Sequence, residues 1–226
     1  MNKTALAGLF ALGLLLPGCI KYYELSTTEF PQGDIVTAQS VLADNYIRSV
    51  KIYKEFETMA LFDFMWLAAD VRTYYAERFC AKRGKDLESR KAIESRQLEE
   101  TNHWIGFYVL ADIRMKNQTS LKEKNAAWTM HLLVNDKIKL ETLSIKEVEL
   151  EPEYQVLFGT RFNNFKTVYL VKFPAYDLDG KPYITVPKPS LVLTICGPEQ
   201  EGKAVWNKQS CSQTTAMNHN EDFYWG

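Results

Sequence analysis

From Trp104 onward the apolar residues recur at every second position, in short runs separated by turn residues. That pattern admits little besides antiparallel β-structure. Ile105, Phe107, Val109, Ala111 and Ile113 share one parity, as do Trp128, Met130, Leu132 and Val134. Successive strand side chains point to opposite faces, so each run presents one apolar face and predicts a half-buried strand. Residues 168–173 are apolar on both parities, as a strand covered on both faces is. Leu191–Cys196 and Ala204–Trp206 flank Gly197-Pro198 as a final pair. Asn135-Asp136 supplies a turn. The phase changes from Ile138–Leu140 to Leu143–Ile145 and again to Val148–Leu150 predict bulges, or a strand crossing between two sheets.

The first half is mixed. Asp34 precedes a helical stripe of Ile35, Ala38, Leu42 and Tyr46, predicting a helix to about Arg48. From Val50 to Trp66 the period is two, too long a run for one strand at about 3.3 Å per residue, so a bulge, bend or break is expected near Thr58; a helix from Glu55 is the competing reading. Asp70 is a candidate N-cap for a helix whose stripe is Val71, Tyr74, Tyr75, Arg78 and Phe79, with Gly84 as its stop. Asp86 caps a second helix with a thin apolar line, Leu87 and Leu98. Asp86–Arg90 and Arg96–Glu100 are spaced for pairs within it. The expectation is an α+β fold, mainly an antiparallel β-sandwich of immunoglobulin-like or related topology, with a helical hairpin inserted at 70–102 and a short N-terminal helix. One domain spans 34–207, followed by a polar tail at 208–226.

Lys3, the apolar run from Ala5 to Leu16 and the sequence Leu16-Pro17-Gly18-Cys19 have the order of a secretory signal. Leu16, Gly18 and Cys19 resemble the lipobox of bacterial lipoproteins; Pro17 stands where that class usually has Ala or Ser. The resemblance covers residues 1–19 and implies removal of residues 1–18, diacylglycerol on the Cys19 thiol and acylation of its freed amine. Residues 19–33 then form a tether. Several acyl chains anchor firmly, because each buried methylene contributes about 0.8 kcal/mol. Ile20 after the cysteine implies the periplasmic face of the outer membrane where the cell has two membranes.

Processing would remove one of 27 basic side chains and none of 28 acidic ones. A mature chain of slightly negative charge is no nucleic-acid binder. Besides Cys19 there are Cys80, Cys196 and Cys211. An oxidising envelope permits a disulfide between Cys196 and Cys211, across the turn at Gly197-Pro198; three free thiols are the alternative.

Sequence motifs for chemistry are sparse. Glu100-x-x-His103 has di-iron spacing but lacks the second copy such a site needs. Asp177-Leu178-Asp179-Gly180 opens like a calcium loop without its closing Glu, and a turn explains it equally. No metal site or cofactor is implied. Glu147, Glu149, Glu151 and Glu153 alternate with Val148, Leu150 and Pro152, which places four carboxylates on one strand face: a solvated face, or a strip for a basic partner. Phe223-Tyr224-Trp225 ends the polar tail with aromatics that gain by docking.

The reading is therefore a lipid-anchored envelope protein acting as a structural or binding module, held to the membrane by its anchor. An envelope protein or glycan partner would engage the sandwich edge, the acidic strip at 147–153 or the aromatic tail with Trp225. The alternatives are a carrier of a lipid or other apolar ligand, and a hydrolase whose triad, using His103 or His131, assembles from distant residues.

Overall fold

The computed structural model describes residues 33–114, 120–122, 126–185 and 189–206, with side chains from Gln39. Residues 1–32, which hold the expected signal, Cys19 and most of the expected tether, lie outside the described residues, as do Cys211 and Trp225. The described residues from Gln39 onward form one compact unit; of residues 1–38, which fall outside it, only the helical backbone from Gly33 is described.

Helix α1 spans Gly33–Tyr46 and leads directly into strand β1, Ile47–Lys54. The alternating run beyond Val50 is not one strand. The chain reverses at Glu55-Phe56, with Glu55 in the left-handed region at φ 54°, and returns as β2, Glu57–Trp66. The expected irregularity near Thr58 is present as a bulge opposite Ile52 and Tyr53. It explains why the parity runs unbroken through the turn. Lys54 pairs with Glu57, but beyond the bulge Ile52 pairs with Ala60 and Val50 with Phe62, so even-numbered residues of both strands face one core.

The inserted hairpin is α2, Ala69–Lys82, and α3, Leu87–His103. Its punctuation is local. Gly84 takes φ 59°, a conformation that costs an L side chain energy, and Asp86 accepts a hydrogen bond from the Ser89 backbone N–H at 2.9 Å. Two finer expectations are corrected. Ala68, not Asp70, is the N-cap of α2, because the Asp70 carboxylate in the first turn is taken by the Tyr46 hydroxyl. Likewise Arg90 and Glu100 pair across the hairpin, with Glu77 and Arg72, rather than along α3.

The remaining strands are β3 (Trp104–Ile113), β4 (Thr129–Val134), β5 (Ile138–Glu141), β6 (Ser144–Glu147), β7 (Thr167–Pro174), β8 (Leu191–Cys196) and β9 (Glu201–Trp206); a short helix α4, Pro152–Phe158, lies between β6 and β7. They form two antiparallel sheets, ordered β1-β2-β3-β7-β6 and β5-β4-β8-β9. Asn135 and Asp136, both at positive φ, turn β4 into β5 within a three-residue hairpin loop closed by Lys137. The result is an α+β fold of two antiparallel sheets, in a strand order that is not the immunoglobulin one.

Parity divides the first sheet between two cores. Phe62, Phe64, Phe107, Val109, Val171 and Phe173 face inward and pack with Trp128, Leu132, Leu193, Ile195 and Trp206 of the second half. Met65, Leu67 and Leu110 face the other way and pack under Val71 and Tyr75 of α2 and Tyr154, Leu157 and Phe158 of α4. The order of layers is helices, sheet, sheet. At one edge the sheets are stitched together: Trp206 Nε1 donates to the Tyr46 carbonyl at 3.0 Å and Arg48 Nε to the Val205 carbonyl at 2.8 Å. Among the described residues no helix is long and apolar enough to cross a membrane.

Candidate functional site

The helix-covered face of the first sheet is not wholly apolar. On β3, even-numbered residues point to that face, and Trp104 lies flat over Gly106. A Cβ at Gly106 would stand 2.0 Å from Trp104 Cζ3. Glycine in a central strand therefore marks a close approach. Lys172 of β7 is the cross-strand partner of Gly106, so its ammonium arrives beside the same indole, 3.9 Å from the ring centroid. From above, α2 brings the Arg72 guanidinium to 4.7 Å from that ring. Two cations thus share one aromatic side chain, an arrangement favoured by the ring quadrupole.

Arg72 is 1% exposed. Its Nε donates to the Leu67 carbonyl at 3.3 Å, and Nη1 donates to Gln97 Oε1 at 3.0 Å and Glu100 Oε2 at 3.1 Å. Among the described residues its Nη2 has no acceptor. A buried guanidinium with two N–H bonds unmade is costly and calls for an acceptor from outside the chain. Arg72, Glu100, Trp104, Tyr108, Glu151 and Lys172 are among the residues that line a cavity of about 230 Å³. Burial holds the Lys172 ammonium below its usual pKa; Lys146 and Arg72 push the same way and Glu100 opposes them. Burial, assisted by Glu151 and Glu100 and opposed by Arg72, pushes the Tyr108 hydroxyl up to about 12, so it remains an O–H donor. Tyr75 is raised as well, by burial and then by its hydrogen bond to Glu151.

Leu67 and Trp104 also line a second cavity of about 260 Å³, whose other walls include Trp66, Ile105, Tyr176 and Ile184. Trp104 is therefore common to a polar compartment and a largely apolar one.

The sequence-derived candidates fare differently. The four glutamates do not form a strip on one strand face. Glu147 ends β6, Glu149 lies in the following loop, Glu151 is the N-cap of α4, and Glu153 is inside that helix. The alternation breaks because Leu150 leaves the sheet to be buried under the helices, and Pro152 starts α4, where a missing N–H costs nothing. Glu151 joins the cavity; Glu153, 4% exposed, accepts from Arg83 Nη1 at 2.8 Å. Burial would raise the Glu153 pKa, but the Arg83 hydrogen bond and its own backbone N–H outweigh it and hold the carboxyl below its ordinary range. A depressed folded-state pKa means that the carboxylate's contribution is fully present above the unfolded value, about 4.3, and is lost as the pH falls through the folded one. The stability advantage of wild type over Glu153→Gln is therefore expected to be constant from pH 7 to about pH 5 and to shrink below about pH 4, read by urea unfolding at a series of pH values.

Cys196 is half-buried, its Sγ 4.0 Å from His131 Nδ1, while Cys211 lies outside the described residues. His131 and Cys196 sit on the outer side of the second sheet, and burial followed by Lys139 lowers the imidazole pKa. His103 is exposed at the end of α3, and Glu100, its neighbour in the di-iron spacing, is engaged by Arg72. Neither histidine lines the two cavities. Among the described residues no three His, Cys, Asp or Glu side chains group to hold a metal. Asp177 Oδ1 accepts from the backbone N–H groups of Asp179 and Lys181, which makes the Asp-Gly segment a turn.

Arg72, Lys172, Trp104 and Gly106 were not singled out by the sequence patterns. Two signals pointed there: a glycine two residues after a tryptophan inside an apolar strand, and an arginine three residues before Tyr75 on a helix face that packs down.

No protein-family model and no curated protein matches the chain. A solved structure of a novel protein of unknown function from Burkholderia pseudomallei K96243 is similar over 77% of this chain and 86% of that one, with 12% identity and a TM-score of 0.37.

Proposed function

We propose that this chain is a lipid-anchored cell-envelope protein that works as a binding module, its ligand being a small polar molecule held in the cavity beside Trp104. The buried Arg72 carries the reading: among the described residues its Nη2 lacks an acceptor, in a site that also holds the half-buried Lys172 ammonium. Burying a charge without its full set of partners is destabilising, so a fold that retains one is explained when a ligand completes it. The anchor rests on Leu16, Gly18 and Cys19. A second reading, a carrier of an apolar ligand, draws on the adjoining cavity behind Trp104.

Native mass spectrometry of membrane-extracted protein tests both parts at once, with Cys19→Ala and Arg72→Lys alongside. An acyl increment lost in Cys19→Ala supports the anchor. A non-covalently bound small molecule present in wild type and lost in Arg72→Lys supports the pocket. An unacylated wild type sinks the first part, and a ligand-free wild type the second; a bound lipid retained in Arg72→Lys favours the carrier.

A further inference from the structure

Charge in the cavity is graded with depth. Arg72, at the floor, is 1% exposed; Lys172 is half-buried; Glu100, whose side chain is 39% exposed, holds Arg72 through Oε2 and leaves its other oxygen toward the mouth, and Glu151 is exposed. Formal charges cancel, two cations against two carboxylates. Among the described residues no carboxylate lies within ion-pair distance of the Lys172 ammonium, and Arg72 has one of its two Nη groups unused. A simple cation would meet the two basic groups at depth. A simple anion would satisfy them but leave the carboxylates at the mouth facing more negative charge. A molecule carrying both charges satisfies each end, and the half-buried Leu170 and Trp104 give it an apolar wall.

Resting on the binding reading above, we infer that the cavity recognises the zwitterion of a free α-amino acid with an apolar side chain, its carboxylate turned inward to Arg72 and Lys172 and its ammonium outward to Glu100 and Glu151. Arginine presents a planar fork that matches a carboxylate, so the inner end sets orientation. The outer carboxylates set the class: they reward an amino group and penalise the acid that lacks it.

Calorimetry on the full-length protein in detergent, with L-phenylalanine, 3-phenylpropionate and phenethylamine as probes, decides it. Phenylalanine is expected to bind at least about tenfold more tightly than either relative, the factor equivalent to 1.4 kcal/mol. Glu151→Gln, an exchange at an exposed site, should weaken phenylalanine and tighten phenylpropionate, because it removes one of the carboxylates that repel the acid. Arg72→Lys should weaken both; if that variant does not fold, Lys172→Met replaces it. Equal affinity for phenylalanine and phenylpropionate overturns the zwitterion and leaves the binding module standing. Binding of none of the three also overturns it, while the bound mass in the native spectrum decides the module separately.

Discussion

Asp63→Ala is expected to destabilise the domain by about 3–5 kcal/mol, the range for removing one partner of a buried ion pair. Asp63 lies on β2 among the outward residues, and its carboxylate accepts from Ser49 Oγ at 2.5 Å and from Lys166 Nζ at 2.7 Å. The two side chains of the pair are 7% and 11% exposed. Lys166 also donates to the Arg161 carbonyl at 2.9 Å, so the pair ties the turn after α4 to the sheet. Without the carboxylate an ammonium is left buried against one carbonyl. The effect should appear as a lower urea midpoint with an unchanged slope. Replacing both partners, Asp63→Leu with Lys166→Met, should restore most of the loss, because it removes the charge together with its partner. A single substitution costing under about 1 kcal/mol would show that the pair behaves as a solvated one.

Gly106→Val is expected to cost about 1–3 kcal/mol through overpacking, and to disable the cavity. Its Cβ would stand 2.0 Å from Trp104 Cζ3 and 2.6 Å from Cε3, so something must move. The backbone cannot yield readily: β3 is paired to β2 on one side and β7 on the other. The indole must therefore swing away, giving up its contacts with Arg72 and Lys172. Near-ultraviolet circular dichroism of Gly106→Val against Trp104→Phe reads this directly. The two variants should lose the same band, and both should lose the bound small molecule. A Gly106→Val protein with wild-type melting and an intact band would refute the close approach.

Strands and helix punctuation were legible because their causes are local. Parity at Ile105–Ile113 and at Met130–Val134, Gly84 as a stop and Asp86 as a cap all depend on neighbours a few positions away. The run beyond Val50 was legible as too long for one strand, but the place of its turn was not: a bulge beside the two-residue hairpin restores parity, so the turn at Glu55-Phe56 leaves no mark on the alternation. The glutamates at 147–153 misled similarly, since an alternating stretch reads the same whether it continues a strand or leaves the sheet and turns into a helix at a proline. Arg72 was passed over because an arginine in a helix ordinarily reaches water. Only the covering by α3 seals it.

By itself the sequence determined that this chain builds antiparallel strands with an inserted helical pair, and it carries the signal-like segment ending at Cys19. Those properties follow from backbone preference and side-chain periodicity, which act over a few residues. Tertiary structure alone decided which parity faced which layer, that Glu151 and Glu153 separate into a cavity mouth and a buried pair, and that Arg72 and Lys172 share one tryptophan. Desolvation and charge pairing depend on distance in space, and these groups arrive from α2, α3, β3, β7 and the start of α4, elements that meet only when the chain is folded.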